Sequence, residues 1–275
     1  MSFLLGILGE NSVRIKYSRT QQNKDFLHIN EKCKNGWGIG FYQDGVAYMV
    51  KKTGTFYEDA RILNVIDKIS TNAVITHFRS ATIGEIKESN THPFRHGVWL
   101  FAHDGTITHF RKVKSNILQK LPESFKQKIG GNTDSEYCFN LFLSKLKGKG
   151  YLKKGDISIQ KAIDALKETS QSLSTWQNEI NSKDISTFNF LTTNGRYMLL
   201  VRKGDPIYYL KKSWSGTPCS FTIANIKIEI NDDIGDFVII SSEKISNDEE
   251  WTRIENNSIV GFDEKINVIK YPLNF

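Results

Sequence analysis

The first third of the chain consists of short apolar runs separated by turn residues, a pattern that is typical of β-strands. Residues 3–8 form an apolar run that predicts a first strand, and the polar stretch at about residues 10–35 predicts a loop. Asp44-Gly45 then stands between two β-rich runs within residues 37–50, which favours a two-residue β-hairpin. Further strands are predicted at residues 73–78 and 97–102.

Helical spacing of apolar residues appears in three segments. Residues 56–69 carry apolar side chains three and four positions apart, which predicts a first helix. Thr133 is followed three positions later by Glu136, the signature of a capping box, and a helical apolar face comes after it. A last helix is predicted over residues 158–179.

Strand patterns return after residue 186, and Asn194-Gly195 predicts a second hairpin. The predicted strands are residues 188–192, 197–202, 207–211, 237–241, 259–262 and 267–271. Because strands come first, helices next and strands last, the order predicts an α+β fold with antiparallel sheets and helices on their faces. Residues 148–155 resemble a linker, and we expect them to join two helices within one domain spanning residues 1–275.

The composition is that of an ordinary soluble globular protein, with 39% hydrophobic and 24% charged residues. The formal net charge is +7, but the lysines are scattered without a basic stripe of interleaved aromatic residues, so we expect no nucleic-acid partner. Three widely spaced cysteines without a C-x-x-C pair indicate a reducing compartment, and the cytoplasm is predicted. No stretch is long enough to cross a bilayer, and no membrane association is expected.

The candidate nucleophile is Ser2. Removal of Met1 would leave a hydroxyl and a free α-amino group on this one residue. An α-amine has an unperturbed pKa of about 7.7–8.0, so it can accept a proton near neutral pH. The pairing of a hydroxyl with the N-terminal amine is one way to activate a weak nucleophile. A small second residue before a buried strand is the plainer explanation, and the rest of the chain has to decide between the two.

Four short segments are richer in Gly, His, Arg and Asn than core packing requires, and three of them end or follow a predicted strand. They are residues 35–40 (NGWGIG), 77–82 (HFRSAT), 90–94 (NTHPF) and 101–106 (FAHDGT). Each also has a structural explanation: the glycines could serve turns, the histidines could be hydrogen-bonded core residues, and Arg79 could be a solvated charge. The histidines show no metal-ligand spacing, so no metal site is predicted.

In order and spacing, these segments resemble the class II glutamine amidotransferases, which have the N-terminal-nucleophile hydrolase fold. The likeness is strongest to small members built from this one domain. Beyond the four segments it includes Ser2-Phe3-Leu4-Leu5-Gly6, Thr133-Asp134-Ser135-Glu136, and Ser241-Ser242-Glu243 with Trp251. The resemblance spans most of the chain. It implies a four-layer αββα sandwich, in which two antiparallel sheets stack between outer helices, and it implies no cofactor.

The resemblance also implies roles for individual residues. The residue at position 2 would attack the side-chain amide of glutamine, and the main-chain amide of Gly105 with the side chain at position 104 would form the oxyanion hole. Arg79 would pair with the substrate α-carboxylate, a bidentate task that suits a guanidinium, and Asp134 would hold the α-ammonium group. The expected pocket lining is Thr91, His92, Trp37 and Gly38.

Two departures from the family pattern concern the groups that would touch the reacting carbonyl. The family nucleophile is cysteine, whereas position 2 is Ser2, and a hydroxyl is far less nucleophilic than a thiol near neutral pH. The family oxyanion donor is asparagine, whereas position 104 is Asp104, and an ionised carboxylate only accepts hydrogen bonds. A protonated Asp104 could donate, but only with a strongly raised pKa.

Three interpretations therefore stay open. The first is a working amidohydrolase with a serine nucleophile that acts on glutamine or another γ-glutamyl amide. The second is a catalytically degenerate member that binds a glutamine-like ligand or a partner. The third is a laboratory substitution at position 2, which would leave Asp104 unexplained. We expect a small-molecule substrate and plain hydrolysis, with a separate ammonia-accepting partner or a homo-oligomer if ammonia is transferred.

Overall fold

Two stacked antiparallel sheets form the centre of the molecule. A computed structural model describes residues 2–17, 33–56, 69–150, 157–213, 219–223, 226–230, 235–246 and 250–274. The strands are β1 (Phe3–Tyr17), β2 (Gly36–Gln43), β3 (Val46–Lys52), β4 (Ser70–Arg79), β5 (Phe94–His96), β6 (Trp99–Thr106), β7 (Thr187–Thr193), β8 (Met198–Lys203), β9 (Tyr208–Lys212), β10 (Cys219–Ile223), β11 (Ile226–Ile230), β12 (Phe237–Ser241), β13 (Thr252–Arg253), β14 (Ser258–Phe262) and β15 (Val268–Pro272). The α-helices are α1 (Phe110–Lys120), α2 (Glu123–Lys126), α3 (Asp134–Gly148) and α4 (Ile159–Ile180).

The described strands divide into one sheet of nine and one of six. The nine-stranded sheet has the order β13-β9-β12-β1-β4-β2-β3, and β11 pairs with β1 and β10 with β11. The six-stranded sheet has the order β15-β14-β8-β7-β6-β5. Every pairing between described strands is antiparallel. The strand β1, which carries the candidate nucleophile at its start, therefore lies in the interior of its sheet between β4 and β12.

Alternation along the strands sorts side chains between the two faces of each sheet. In β1, Leu4 and Leu8 belong to the core between the sheets, whereas Phe3 lies in a core on the outer face of the nine-stranded sheet. In β6, Leu100 and Ala102 also belong to the core between the sheets. Even-numbered positions at the start of β1 and the end of β6 thus share the space between the two sheets.

The helices α1 to α4 cover the outer face of the six-stranded sheet. Trp99 and Phe101 of β6 pack in one core with Phe142 of α3 and Leu166 of α4. Trp99 contacts Phe142 edge to face, with 5.2 Å between the ring centroids. Among the described residues, no helix combines the length and the apolar character that a membrane crossing requires.

The predicted α+β fold with two antiparallel sheets is confirmed, as are the hairpin at Asp44-Gly45 and the helices that begin at residues 134 and 159. The loop predicted at residues 10–35 is wrong at its start, because β1 continues to Tyr17. There the strand pairs with β11 and β4 through main-chain groups, which do not require apolar side chains. The helix predicted at residues 56–69 and most of the stretch at residues 148–155 lie outside the described residues.

Several elements of the described structure have no clear signal in the sequence. The helix α1 buries only Val113 and Ile117 among its 11 residues, so its apolar face is too narrow to be recognised. The strand predicted from residue 97 begins at Trp99 instead, because residues 97–98 form the turn from β5. The other elements that the sequence patterns missed are α2, β5, β10, β11 and β13.

Tyr42 of β2 joins the two sheets by hydrogen bonding. Its hydroxyl lies 2.6 Å from the Val98 carbonyl oxygen and 2.9 Å from the Thr193 carbonyl oxygen, both of which belong to the six-stranded side. Burial raises the pKa of Tyr42 well above its ordinary value, so the hydroxyl keeps its proton. The single proton is shared between two carbonyl acceptors.

Tyr42→Phe should lower the free energy of unfolding by about 1–2 kcal/mol, because the buried Thr193 carbonyl and the partly buried Val98 carbonyl would lose their shared donor. Tyr48→Phe is the matched control, since Tyr48 is 43% exposed. We expect it to change stability by less than about 0.5 kcal/mol. Urea unfolding of both variants measures the difference, and equal losses would contradict the role of the Tyr42 hydroxyl.

Candidate active site

The start of β1, the end of β4 and the end of β6 meet at one edge of the sheets. Because β1 and β4 are antiparallel from the first residue of β1, Ser2 lies beside the residues that follow β4. The Ser2 hydroxyl accepts a hydrogen bond from the Ser80 main-chain N–H at 3.0 Å and lies 3.3 Å from the Ser80 carbonyl oxygen. The hydroxyls of Thr82 and Thr106 are 3.0 Å apart and connect this segment to the end of β6.

Asp104 of β6 lies next to Ser2 in the buried space between the sheets. The Ser2 main-chain N–H is close enough to this carboxyl group to lower its pKa. Burial, reinforced by the nearby Asp205 carboxylate, raises the pKa of Asp104 to about 7. The Oδ2 atom of Asp104 is buried and has no hydrogen-bond partner among the described residues. This carboxyl group can therefore exist in either protonation state near neutral pH.

Gly105 has a backbone conformation that side-chain-bearing residues rarely adopt. Its φ is +140°, and a Cβ atom at this position would lie 2.3 Å from the Thr187 carbonyl oxygen on the paired strand β7. The absence of a side chain thus allows the two main chains to approach closely. The amide that the sequence predicts as an oxyanion donor is held on a closely packed strand end.

Arg79, at the end of β4, is buried and holds the loop that follows it. Its guanidinium donates hydrogen bonds to the carbonyl oxygens of Glu85 at 3.0 Å and Ile83 at 2.9 Å. Burial lowers the pKa of Arg79, and the Asp134 carboxylate acts in the opposite direction. Arg79 stays charged, because a guanidinium is not deprotonated in proteins. The Asp134 carboxylate is therefore close enough to Arg79 to affect the pKa of its guanidinium.

Asp134 occupies the first turn of α3, where a negative charge is favourable for the helix. Its carboxylate accepts hydrogen bonds from the main-chain N–H groups of Ile107 at 2.8 Å and Ser135 at 2.9 Å. The first of these bonds ties the start of α3 to the residue that follows β6. Asp134 therefore fixes the helix relative to the strand that carries Asp104.

The predicted capping box at the start of α3 is only half formed. The Thr133 hydroxyl accepts a hydrogen bond from the Glu136 main-chain N–H at 3.3 Å, as the sequence predicts. The Glu136 carboxylate instead accepts hydrogen bonds from Gly130 and Gly131, at 2.9 and 2.7 Å. It thereby holds the glycine-containing loop in front of α3.

The four predicted lining residues differ in where their side chains lie. Thr91 and His92 are buried, and a Cβ atom on Gly38 would lie 2.0 Å from the His92 carbonyl oxygen. Gly38 therefore allows β2 to pack directly against the segment that carries His92. The Trp37 ring belongs to the core on the outer face of the nine-stranded sheet, which is the face away from Asp104.

Two buried histidines, His77 and His92, lie close together, with 4.2 Å between their ring centroids. Burial is the main reason why the pKa of His77 falls to about 3 and that of His92 lies well below its usual value. The positive charge of Arg79 acts in the same direction. Both imidazoles are neutral near pH 7. Within the described ranges, no group of three or more His, Cys, Asp or Glu side chains could hold a metal ion.

Three contributors to the site were not recognised from the sequence. Ser80 bonds to Ser2, Asn189 of β7 lies opposite Asp104, and the Cys33 thiol lies close enough to the main-chain N–H of the first residue of β1 for that group to lower its pKa. Burial raises the pKa of Cys33 to about 11, so this thiol stays protonated near neutral pH. Ser80 lies within the candidate segment 77–82, and Asn189 offered a signal as a polar residue between two phenylalanines of a buried strand.

The family comparison covers almost the whole chain. Residues 1–269 match the family described as class-II glutamine amidotransferases. The Saccharomyces cerevisiae protein named "Probable glutamine amidotransferase DUG3" is 26% identical over 261 residues, which cover 87% of this chain and 72% of that protein. A gamma-glutamyl-hercynylcysteine sulfoxide hydrolase of Mycolicibacterium smegmatis is 37% identical over 75 residues, covering 26% of this chain and 33% of that protein.

Solved structures share the fold. A "predicted glutamine amidotransferase" from Pseudomonas aeruginosa superposes with a TM-score of 0.66 and 19% identity, covering 97% of this chain and 98% of that one. The glutamine phosphoribosylpyrophosphate amidotransferase of B. subtilis superposes with a TM-score of 0.58 and 16% identity, covering 99% of this chain and 49% of that one. At these identities the likeness shows the fold, which is that of the N-terminal-nucleophile hydrolases.

Gly105→Ala should lower the free energy of unfolding by clearly more than Gly45→Ala, although both glycines have positive φ. Around Gly45 there is open space, so alanine there should cost only about 1–2 kcal/mol of backbone strain. At position 105 the added methyl group would also collide with a carbonyl of β7. Urea unfolding compares the two variants, and similar losses would contradict the close approach at Gly105.

Proposed function

Since this chain belongs to the class II glutamine amidotransferases, we propose that it hydrolyses the side-chain amide of glutamine or of a related γ-glutamyl compound through Ser2. The observation that carries the proposal is the position of Ser2. Its hydroxyl bonds to the main chain of Ser80, and its own main-chain nitrogen lies close enough to Asp104 to lower the pKa of that carboxyl group. A hydroxyl, a future α-amine and the residues expected at the oxyanion site therefore share one small space.

The proposed reaction has two steps, with water as the final acceptor. After removal of Met1, the Ser2 Oγ atom forms a bond to the side-chain carbonyl carbon of the substrate, and its proton passes to the α-amine. The Gly105 N–H stabilises the oxyanion that results. The carbon–nitrogen bond then breaks, and the leaving nitrogen takes the proton. Water hydrolyses the ester on Ser2 and releases the γ-carboxylate.

Arg79 and Asp134 suit the amino-acid end of a γ-glutamyl substrate. In the proposal, the Arg79 guanidinium pairs with the α-carboxylate and the Asp134 carboxylate holds the α-ammonium group. Their hydrogen bonds to neighbouring main-chain groups fix their orientation, as a binding site built on rigid elements requires. The relative named a gamma-glutamyl-hercynylcysteine sulfoxide hydrolase supports a γ-glutamyl substrate over a part of the chain.

Ligand binding without chemistry is the second candidate function, and Asp104 is the observation that favours it. An ionised carboxylate at the oxyanion site would repel the developing charge. Loss of one oxyanion donor typically slows such a reaction by about 100- to 1,000-fold. The raised pKa of Asp104 weakens this objection, because the protonated carboxyl can donate a hydrogen bond.

Ser2→Ala should lower the release of ammonia or amine from γ-glutamyl amides by about 1,000-fold or more, because the nucleophile is removed. Ser144→Ala is the control, since the Ser144 hydroxyl bonds only within its own helix α3 in the described structure. Intact-mass analysis must first show that Met1 is absent. A protein without Met1 that hydrolyses no γ-glutamyl amide, or an active Ser2→Ala variant, would contradict the proposal, and the first result would favour ligand binding.

Arg79→Lys should weaken glutamate binding about 10-fold or more, because lysine cannot form the bidentate contact with a carboxylate. Arg95→Lys is the control, since Arg95 is exposed and bonds to the Ala47 carbonyl oxygen on the edge strand β3. Calorimetry with glutamate and glutamine measures both variants. Unchanged affinity in Arg79→Lys would show that the substrate carboxylate binds elsewhere.

A further inference from the structure

Two buried oxygen atoms at the site lack a donor. Asp104 and Asn189 are opposite each other in the antiparallel ladder of β6 and β7, so their side chains lie on the same face of the sheet. The Oδ2 atom of Asp104 and the Oδ1 atom of Asn189 are buried without a hydrogen-bond partner among the described residues. The two residues are only 4% and 1% exposed. Buried acceptors of this kind are costly unless a donor meets them.

The orientation of the Asn189 amide is fixed by its other end. Its Nδ2 atom donates to the Asp205 carbonyl oxygen at 3.3 Å. A reversed amide would set its own oxygen against this carbonyl oxygen, and neither atom can donate. Asn189 therefore presents an unpaired acceptor on the same face of the sheet as Asp104. Two acceptors side by side favour a group that carries several N–H donors or a positive charge.

The main-chain nitrogen of Ser2 lies close to Asp104, since its N–H lowers the pKa of that carboxyl group. Once Met1 is removed, the same nitrogen becomes an α-ammonium group with three protons. We propose that Asp104 and Asn189 bind the α-ammonium group of mature Ser2, and that Asp104 acts as the base that receives the Ser2 hydroxyl proton through this group. This inference rests on the proposed function in taking Ser2 as the nucleophile.

The proton transfers of this mechanism form a closed cycle. The ammonium group gives one proton to the Asp104 carboxylate and takes the Ser2 Oγ proton while Oγ bonds to the substrate carbonyl carbon. The carbonyl electron pair moves to oxygen, which accepts hydrogen bonds from protonated Asp104 and from Gly105. When the carbon–nitrogen bond breaks, the leaving nitrogen takes a proton from the ammonium group. Asp104 then returns its proton to the amine.

This mechanism gives one explanation for both departures from the family pattern, Ser2 and Asp104. A serine hydroxyl needs more help from a base than a cysteine thiol does, and Asp104 supplies a second basic group beside the α-amine. The same carboxyl group, once protonated, supplies the hydrogen-bond donor that an ionised aspartate lacks. Ser2 and Asp104 are therefore expected to depend on each other.

The charges around Asp104 favour an ammonium group in this space. Asp205, from the turn after β8, raises the pKa of Asp104, and Glu243, which follows β12, acts in the same direction. The Cys33 thiol, which lies near both Asp104 and Glu243, stays protonated because burial raises its pKa. Two further carboxylates thus add negative potential, and a negative potential stabilises a protonated amine.

The pKa of the Ser2 α-amine tests the pairing independently of activity. The quantity to measure is the pH dependence of its acetylation by acetic anhydride, followed on the N-terminal peptide by mass spectrometry. A carboxylate partner stabilises the charged amine, so the midpoint should lie about one pH unit or more higher in the parent than in Asp104→Asn. Asn189→Ser, which shortens the other acceptor, should lower the midpoint by a smaller amount.

Glu264→Gln is the matched control for loss of a carboxylate, because Glu264 pairs with Arg196 and is half exposed. It should leave the midpoint of the α-amine unchanged. Equal midpoints in the parent, Asp104→Asn and Asn189→Ser would overturn the pairing, even if the protein hydrolyses γ-glutamyl amides. A shifted midpoint in a protein without any hydrolytic activity would support the pairing and overturn the proposed function.

Activity tests the base role of Asp104. Asp104→Asn alone should slow hydrolysis by about 100-fold, the usual scale for a general base. The double variant Ser2→Cys with Asp104→Asn, which carries the family residues at both positions, should recover most of that loss. A single Asp104→Asn variant that is as fast as the parent or faster would overturn the base role.

Discussion

The antiparallel pairing of β1 with β4 and β12 is the constraint on which the site depends. The main chain at the start of β1 is held on both sides, because it pairs with β4 from Phe3 and with β12 from Leu5. Ser242, which follows β12, adds two hydrogen bonds to Leu4. The Leu4 N–H donates to the Ser242 hydroxyl at 3.1 Å, and the Ser242 N–H donates to the Leu4 carbonyl oxygen at 3.0 Å. Ser2 therefore has a fixed position relative to Ser80 and Asp104. A nucleophile at a chain terminus would otherwise lose conformational entropy when it reacts.

The space between the two sheets supplies the second condition, which is exclusion of water. Burial is the largest cause of the altered pKa values of Asp104, His77 and His92, and in each case it favours the neutral form. Arg79 and Asp134 each have main-chain hydrogen-bond partners that fix their side chains in this region. The result is a site with a charged end, suited to an amino acid, and a reacting end where protonation is finely balanced.

The sequence predicted the fold class correctly and brought the candidate site residues into one region, but it gave no indication of the balance of charges among them. Turn residues at Asp44-Gly45 and the capping signal at Thr133 were sufficient to locate a hairpin and α3, because both depend on local conformation. The extension of β1 to residue 17 and the pairing of Asn189 opposite Asp104 depend on strand pairing over long sequence distances, which no local pattern encodes. The motif that contains Trp37 predicted a pocket residue, but strand parity turns its ring to the opposite face of the sheet.

The central claim is that Ser2 is the nucleophile. Because the Cys33 thiol is a second nucleophilic group nearby, the experiment must identify which atom reacts. The most direct measurement is to treat the protein lacking Met1 with a glutamine analogue that carries a diazoketone in place of the side-chain amide, and to map the adduct by peptide mass spectrometry. We expect a single adduct on the N-terminal peptide at Ser2, and none in Ser2→Ala. An adduct on Cys33, or no adduct at all in protein shown to lack Met1, would contradict the account.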